Sequence, residues 1–272
     1  MKDRAVIAIA LETMTTVGQA QEEPSNAGHA IGRALVIGAS GGIGSALVEA
    51  LVERGVGTVF AASRTKPERP VAGAQWVRFD LDREASIAAA AQATGSEPLD
   101  LVIVASGVLT LPGEDGAGGL GPERSFRQVD ADAMARVLHL NTIGPALVAK
   151  HFLPLLPRER RSVFAALSAR VGSISDNRIG GWHSYRASKA ALNMLIRNYA
   201  IELGRTHRQA VCVALHPGTV DTSLSEPFQA NLPDGQLTPP GEAARNLLDV
   251  IDGLTPEQSG HLFDWAGERV EF

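Results

Sequence analysis

Two side chains with acid–base chemistry stand four residues apart in the run Tyr185-Arg186-Ala187-Ser188-Lys189. On a helix, positions i and i+4 share one face, so the phenol of Tyr185 and the ammonium of Lys189 become stacked neighbours. A free tyrosine, with a pKa of ~10, is a poor base at neutral pH. A cation beside it favours the phenolate and brings the group toward useful acid–base strength. Moving a proton to or from an oxygen is the chemistry such a pair can do. Alone, the spacing is also that of an ordinary exposed helix pair.

A second group of residues gives the pair a context. Gly38-Ala39-Ser40-Gly41-Gly42-Ile43-Gly44 follows the aliphatic run Ala34 to Ile37 and leads into helical spacing from Ile43. Glycines let the backbone turn tightly and approach a pyrophosphate, and the helix start that follows offers free N–H groups and a positive dipole end. A tight turn uses glycine too, but the place after the first strand and before the first helix favours a dinucleotide cradle. The next strand ends at Ala62-Ser63-Arg64, and Arg64 lies 20 residues past Gly44. An acidic residue there would accept from a ribose 2′-hydroxyl, whereas a basic one pairs with a 2′-phosphate. Arg64, with a hydrogen bond from Ser63, points to NADP(H) in preference to NAD(H).

The elements that must position these groups alternate along the chain. Strands are expected at 34–37, 57–62, 75–79, 99–105, 162–167, 209–215 and 261–265, and helices at 43–54, 85–93, 185–204 and 242–251. Ala131 to Leu156 reads as one or two helical pieces ended by Pro154 and Pro157, and Leu111 to Gly121 as a glycine-rich loop. Nearly continuous aliphatic strands such as Leu99 to Ala105 are those of a sheet buried on both faces. Repeated βα units with right-handed crossovers give an α/β, doubly wound (Rossmann) parallel sheet of about seven strands with helices on both faces.

Composition excludes several classes. A chain of 272 residues suits one α/β domain. With 44% hydrophobic but only 5% aromatic residues, aliphatic side chains must fill the core. A net charge of -5 offers no basic face for nucleic acid. The lone Cys212 allows no intrachain disulfide and sits in the apolar run Val211 to Leu215, as a buried strand residue would. The histidines show no metal-ligand spacing, so no metal is expected. No apolar stretch approaches the ~20 residues that span a bilayer. Ala5 to Leu11, behind Lys2 and Arg4, faintly resembles a signal peptide, but Glu12 ends it. Residues 1–30 are expected to be a flexible extension, 31–272 a single domain, and the protein cytoplasmic.

Gly38, Gly42 and Gly44 form GxxxGxG, and with the later Tyr185-xxx-Lys189 they resemble the short-chain dehydrogenase/reductase family from about Gly32 to the C-terminus. Ile37 stands where that family has a threonine. The resemblance implies that Asp80 and Leu81 lie beside the adenine. It puts Val104-Ala105-Ser106-Gly107 in the place of the family's NNAG, where Ser106 and Gly107 contact the cofactor through backbone. It gives Asn141 a bent helix and a water-linked proton relay to the lysine. It reads Pro217-Gly218-Thr219-Val220-Asp221-Thr222 as PGxxxT, with the Val220 backbone on the carboxamide and Thr222 on phosphate or amide. The family's substrate-polarising serine falls on Ala169 here. Ser173, 12 residues before Tyr185, is the expected replacement, and Ser168 the other hydroxyl nearby.

Val171-Gly172-Ser173-Ile174 with Asp176-Asn177 looks like the sniffer and C-factor branch of carbonyl-reductase-like proteins. The implied activity is hydride transfer between NADP(H) and a small carbonyl or secondary alcohol, with Tyr185 as general acid/base. The alternative is a dinucleotide-binding signalling protein with little turnover. A substrate lid is expected at Ser223 to Pro240, carrying Leu224, Phe228 and Leu232, and Trp182 and His183 are expected in the same pocket. The resemblance also implies a homodimer or homotetramer through the helices at 131–156 and 185–204.

Overall fold

In the computed structural model the described residues are 31–111, 121–231 and 237–272. The expected extension at 1–30 and most of the glycine-rich loop lie outside them. Eight strands form one sheet in the order β3-β2-β1-β4-β5-β6-β7-β8. They are β1 (Arg33–Ile37), β2 (Thr58–Ser63), β3 (Ala74–Arg78), β4 (Leu101–Val104), β5 (Ser162–Leu167), β6 (Ala210–His216), β7 (Leu262–Asp264) and β8 (Arg269–Val270). All neighbours pair in parallel except β8, which returns antiparallel to β7. The sequence expectation of about seven strands missed β8, because a two-residue strand displays no periodicity.

The helices are α1 (Gly42–Glu53), α2 (Glu84–Ala93), α3 (Ala131–Leu138), α4 (Gly144–Phe152), α5 (His183–Leu203) and α6 (Pro240–Gly253). Alternation along each strand divides the core between the two faces. Leu35, Ile37, Phe164, Cys212 and Ala214 pack toward α2, α4 and α5. Ala34, Val36, Leu101, Val211 and Val213 pack toward α1 and α6. Cys212 is fully buried, as its apolar neighbours suggested. No described helix is long and apolar enough to cross a membrane.

Two features position the site. The strand order reverses between β1 and β4, and the crevice beyond their C-terminal ends is where such sheets take ligands. The second is a π-helical turn at His139–Ile143, which divides the helical stretch expected from Ala131 to Leu156 into α3 and α4. Phe164 is buried at 1% exposure and meets the Tyr199 ring edge-on at 6.5 Å. Phe164→Ala is expected to lower the unfolding free energy by about 3–5 kcal/mol, read as a shift of the urea midpoint.

Candidate active site

The start of α5 carries the acid–base pair, and it is held from far away in sequence. Trp182, just before the helix, adopts a left-handed backbone (φ 51°). Its N–H donates to the Glu123 carbonyl. The Glu123 carboxylate accepts from the Ser184 backbone N–H at 3.2 and 3.3 Å and from the Ser184 hydroxyl. Burial pushes the Glu123 carboxyl up, but the hydrogen bonds from Ser184 and from its own backbone, with the His183 charge, together hold the group below its ordinary value. A negative charge at this helix end also suits the dipole. Sequence reasoning missed Glu123, because nothing local marks a cap supplied 61 residues before the helix it serves.

Tyr185 is buried against Leu109 and Ala169, and Trp182 stands edge-on to its ring at 6.3 Å. Lys189 lies one turn further on, its Nζ 5.7 Å from the centre of the Tyr185 ring. That Nζ donates to the Leu167 carbonyl at the end of β5, at 2.8 Å. Burial acts on both groups: it raises the Tyr185 phenol to about 12 and lowers the Lys189 ammonium to about 8. The expected lowering of the phenol by its neighbouring cation is thus reversed, because burial penalises the phenolate more strongly. At neutral pH the pair is a protonated phenol beside an ammonium.

Asn141 is fully buried in the π-turn. Its Nδ2 donates to the Val108 carbonyl (2.8 Å) and the Ser188 hydroxyl (3.0 Å), and its Oδ1 accepts from the Val108 N–H (2.8 Å). A side chain that bonds so fully to a loop beyond β4 fixes the departure from regular helix. Asn141 and Lys189 converge on Gly107: a Cβ there would stand 3.3 Å from Asn141 Oδ1 and 3.4 Å from Lys189 Nζ.

Ser173 needs correction. Its hydroxyl donates to the Glu271 carbonyl and accepts from the Asp176 N–H (3.1 Å), which ties the loop after β5 to the C-terminal segment. Ser168 lines the same cavity as Tyr185, but its hydroxyl donates to Asn193 Oδ1 at 2.7 Å. The residue packed against Tyr185 is Ala169, which carries no hydroxyl.

The glycine loop sits at the reversal point of the sheet. Gly38 has φ 89°, and a Cβ there would lie 2.9 Å from the Ser106 backbone nitrogen. A Cβ at Gly44 would lie 2.1 Å from the Gly38 carbonyl, and one at Gly42 would lie 2.6 Å from Thr222 Cγ2. The loop, Ser106–Gly107 and Thr222 are therefore brought together, with Ser40, Gly41 and Gly42 exposed. The buried Ser106 hydroxyl has no partner among the described residues. Gly218 (φ 77°) follows Pro217, and Val220 is buried and bridges to Thr238. Asp80 accepts from the Asp82 N–H at 3.1 Å, and Leu81 packs so closely on Gly144 that a Cβ there would meet its Cγ at 2.4 Å.

At the end of β2, Arg64 is exposed and helps to lower the Asp82 carboxyl, behind Arg136 and His139. Ser63 beside it is buried, and its hydroxyl donates to the Thr65 carbonyl at 2.9 Å and accepts from Trp76 Nε1 at 3.0 Å.

A cavity of about 1010 Å³ opens onto Tyr185, walled by Leu109, Val171, Trp182 and Leu224, and reaches Ile43 of the glycine loop and Gly218 and Thr222 beyond β6. Leu224 and Trp182 lie where the pocket reading expected them; Leu232 and the Phe228 side chain fall outside the described residues. His216 also lines this cavity, and burial drives its imidazole down to about 4, so it is neutral.

Comparison with known proteins gives the family. The family model for the short chain dehydrogenases matches residues 32–233, and the chain belongs to that family. It is 39% identical over 154 residues to the C-signal protein of Myxococcus xanthus, which covers 57% of this chain and 87% of the relative. It is 32% identical to a 1-hydroxy-2-glutathionyl-2-methyl-3-butene dehydrogenase of Rhodococcus, over 83% of this chain and 93% of the relative. The structure of an NADPH-bound carbonyl reductase from chicken fatty liver superposes with a TM-score of 0.74 at 26% identity, over 89% of this chain and 94% of that one. These likenesses bear out the carbonyl-reductase-like, C-factor branch suggested by the sequence, and the protein is an oxidoreductase of this family. If Glu123 caps α5, Glu123→Ala should destabilise the protein by about 1–2 kcal/mol and speed amide exchange at the first turn of α5.

Proposed function

We propose that the protein is an NADP(H)-dependent carbonyl reductase, or the alcohol dehydrogenase of the reverse direction, with Tyr185 as general acid/base. The observation that carries this reading is the buried, protonated phenol held over an ammonium at the wall of a large cavity. The residues at the sheet's reversal point fit a dinucleotide. Gly38, Gly42 and Gly44 stand where a Cβ would collide, which keeps the loop backbone bare, and the buried Ser106 hydroxyl has no partner among the described residues. Gly38 through Gly44 would cradle the pyrophosphate, with Asp80, Leu81 and Gly107 along the adenosine half. Pro217, Gly218, Val220 and Thr222 would line the nicotinamide half. Arg64 would pair with the 2′-phosphate, in keeping with the NADPH-bound reductase of similar fold. When bound, the nicotinamide donates or accepts the hydride.

The chain's own residues handle the proton. In reduction the Tyr185 hydroxyl passes its proton to the carbonyl oxygen, and the Lys189 ammonium stabilises the phenolate left behind. Asn141 fixes the bend that keeps the Val108 loop against α5. Exposed Met194 and Ile201 on α5 and Ile143 before α4 support a homo-oligomer built on these helices. A second reading, dinucleotide binding with little turnover, draws on Ala169, which packs against Tyr185 without a hydroxyl, while the proton of the neighbouring Ser168 goes to Asn193.

A panel of ketones and aldehydes with NADPH, followed by cofactor absorbance, separates the two. The enzyme reading expects turnover that falls about a hundredfold or more in Tyr185→Phe with NADPH binding kept; binding without turnover on every carbonyl favours the second. With Lys189 at about 8, kcat/KM for reduction should hold level below that pH and fall above it, as the ammonium loses its proton; in Lys189→Met the break should vanish. Arg64→Ala should weaken NADPH by about tenfold and leave NADH unmoved, and equal affinities for both cofactors in the wild type would defeat the NADP(H) assignment.

A further inference from the structure

The cavity that holds Tyr185 has a charge opposite to that of the chain. The protein carries a formal net charge of -5. Among the described residues, the cavity wall carries four arginines, Arg124, Arg170, Arg178 and Arg186, against one carboxylate, Asp176. The neutral His216 adds no charge. Asp176 is engaged by Arg170 at 2.8 Å. The other three guanidinium groups have no ion-pair partner among the described residues.

Backbone carbonyls hold two of these three in place. Arg186, half-buried in the first turn of α5, donates through Nε to the Gly181 carbonyl and through Nη1 to the Val171 carbonyl, both at 3.1 Å. Arg178 donates through Nη1 to the Ser175 and Asn177 carbonyls at 2.8 and 3.3 Å. Each guanidinium has five N–H donors, so donors remain on both after these bonds. Arg124 comes from the segment whose Glu123 caps α5, so its backbone is anchored to the same helix end. Arg170, Arg178 and Arg186 all come from the β5–α5 connection and the start of α5. Of the glycine loop only Ile43 lines this cavity, and the Arg64 expected to meet the 2′-phosphate does not line it, so the four arginines are additional to the groups assigned to the cofactor's phosphates.

We infer that the substrate is a ketone, aldehyde or secondary alcohol bearing an anionic group away from the reacting carbon, held by Arg124, Arg178 and Arg186 while Tyr185 faces the carbonyl. This rests on the reductase reading above and names the substrate class for that site. Guanidinium groups bind carboxylates with charge-assisted, often paired hydrogen bonds. A remote anion of this kind supplies binding energy that orients the carbonyl at the acid. The apolar wall from Leu109, Val171, Trp182 and Leu224 suits a hydrocarbon body between the two ends.

The test pairs para-acetylbenzoate with its neutral methyl ester, using the full chain and NADPH. The acid should exceed the ester in kcat/KM by about tenfold or more, and the preference should shrink as salt is raised, since Arg124 and Arg178 are exposed. In the double variant Arg124→Gln/Arg178→Gln the acid-to-ester ratio should collapse toward one, with the melting temperature checked against wild type. Equal use of acid and ester, or a ratio unmoved by the double variant, overturns the inference while leaving the reductase reading intact. A double variant whose loss is in NADPH affinity rather than in the ratio also overturns it, since the arginines would then serve the cofactor. If neither compound is reduced, the reductase reading fails on this pair, and calorimetric binding to the NADPH complex decides the inference alone. Tighter binding of the acid sustains it, and equal binding rejects it.

Discussion

The structure turns on a buried ammonium donating to a strand-end carbonyl. Lys189 Nζ, inside the protein, bonds to the Leu167 carbonyl where β5 ends. An unpaired charge there would cost several kcal/mol, so the helix cannot shift on the sheet without losing this bond. Gly172 confirms how close the approach is: a Cβ there would lie 2.7 Å from the Lys189 Cβ. The position of Tyr185, one turn before, follows from that contact.

Three other segments converge on the same helix end. Glu123 caps it from the segment before α3, Asn141 and Thr142 reach Ser188 from the π-turn, and Arg186 grips the Val171 and Gly181 carbonyls of the loop before it. Each of these bonds satisfies a polar group that would otherwise be buried alone. The acid–base pair is therefore built on a helix fixed at one end by four pieces of chain, which is how a site keeps its geometry when the ligand changes. The segment that closes the cavity on its other side, around Leu224, is bound more lightly, through Thr222, Ser225 and Gln229 side chains near the surface.

Burial moves the two groups of the pair in opposite directions, the phenol up and the ammonium down, and so widens the range of pH in which the phenol keeps its proton. A cation beside a phenol in water would favour the phenolate, but excluding water penalises every charged form. Here the penalty exceeds the attraction, and the phenol stays protonated. A protonated phenol is the form that gives a proton to a carbonyl oxygen, which agrees with the reductive direction. Of the arginines in the cavity wall, Arg124 and Arg178 are exposed, where solvent screens them, and Arg186 is half-buried.

Much of the fold was legible in the sequence because its causes are local. Aliphatic runs broken by turns set the parallel strands, Gly38 and Gly44 mark a turn so tight that a Cβ on Gly44 would strike the Gly38 carbonyl, and Tyr185 and Lys189 share a helix face by spacing alone. The π-turn at Asn141 was half legible, since an amide in mid-helix signals a departure without saying what it bonds. What the tertiary structure alone decided are the contacts between residues far apart in the chain. Ser173, plausible by spacing, turned out to serve the C-terminal segment, and Ser63 spends its proton on Thr65. Glu123 came to cap a helix far along the chain, and four arginines gathered around one cavity. Spacing can place side chains on a common helix or strand face, but hydrogen-bond partners and electrostatic surroundings depend on which elements fold against one another.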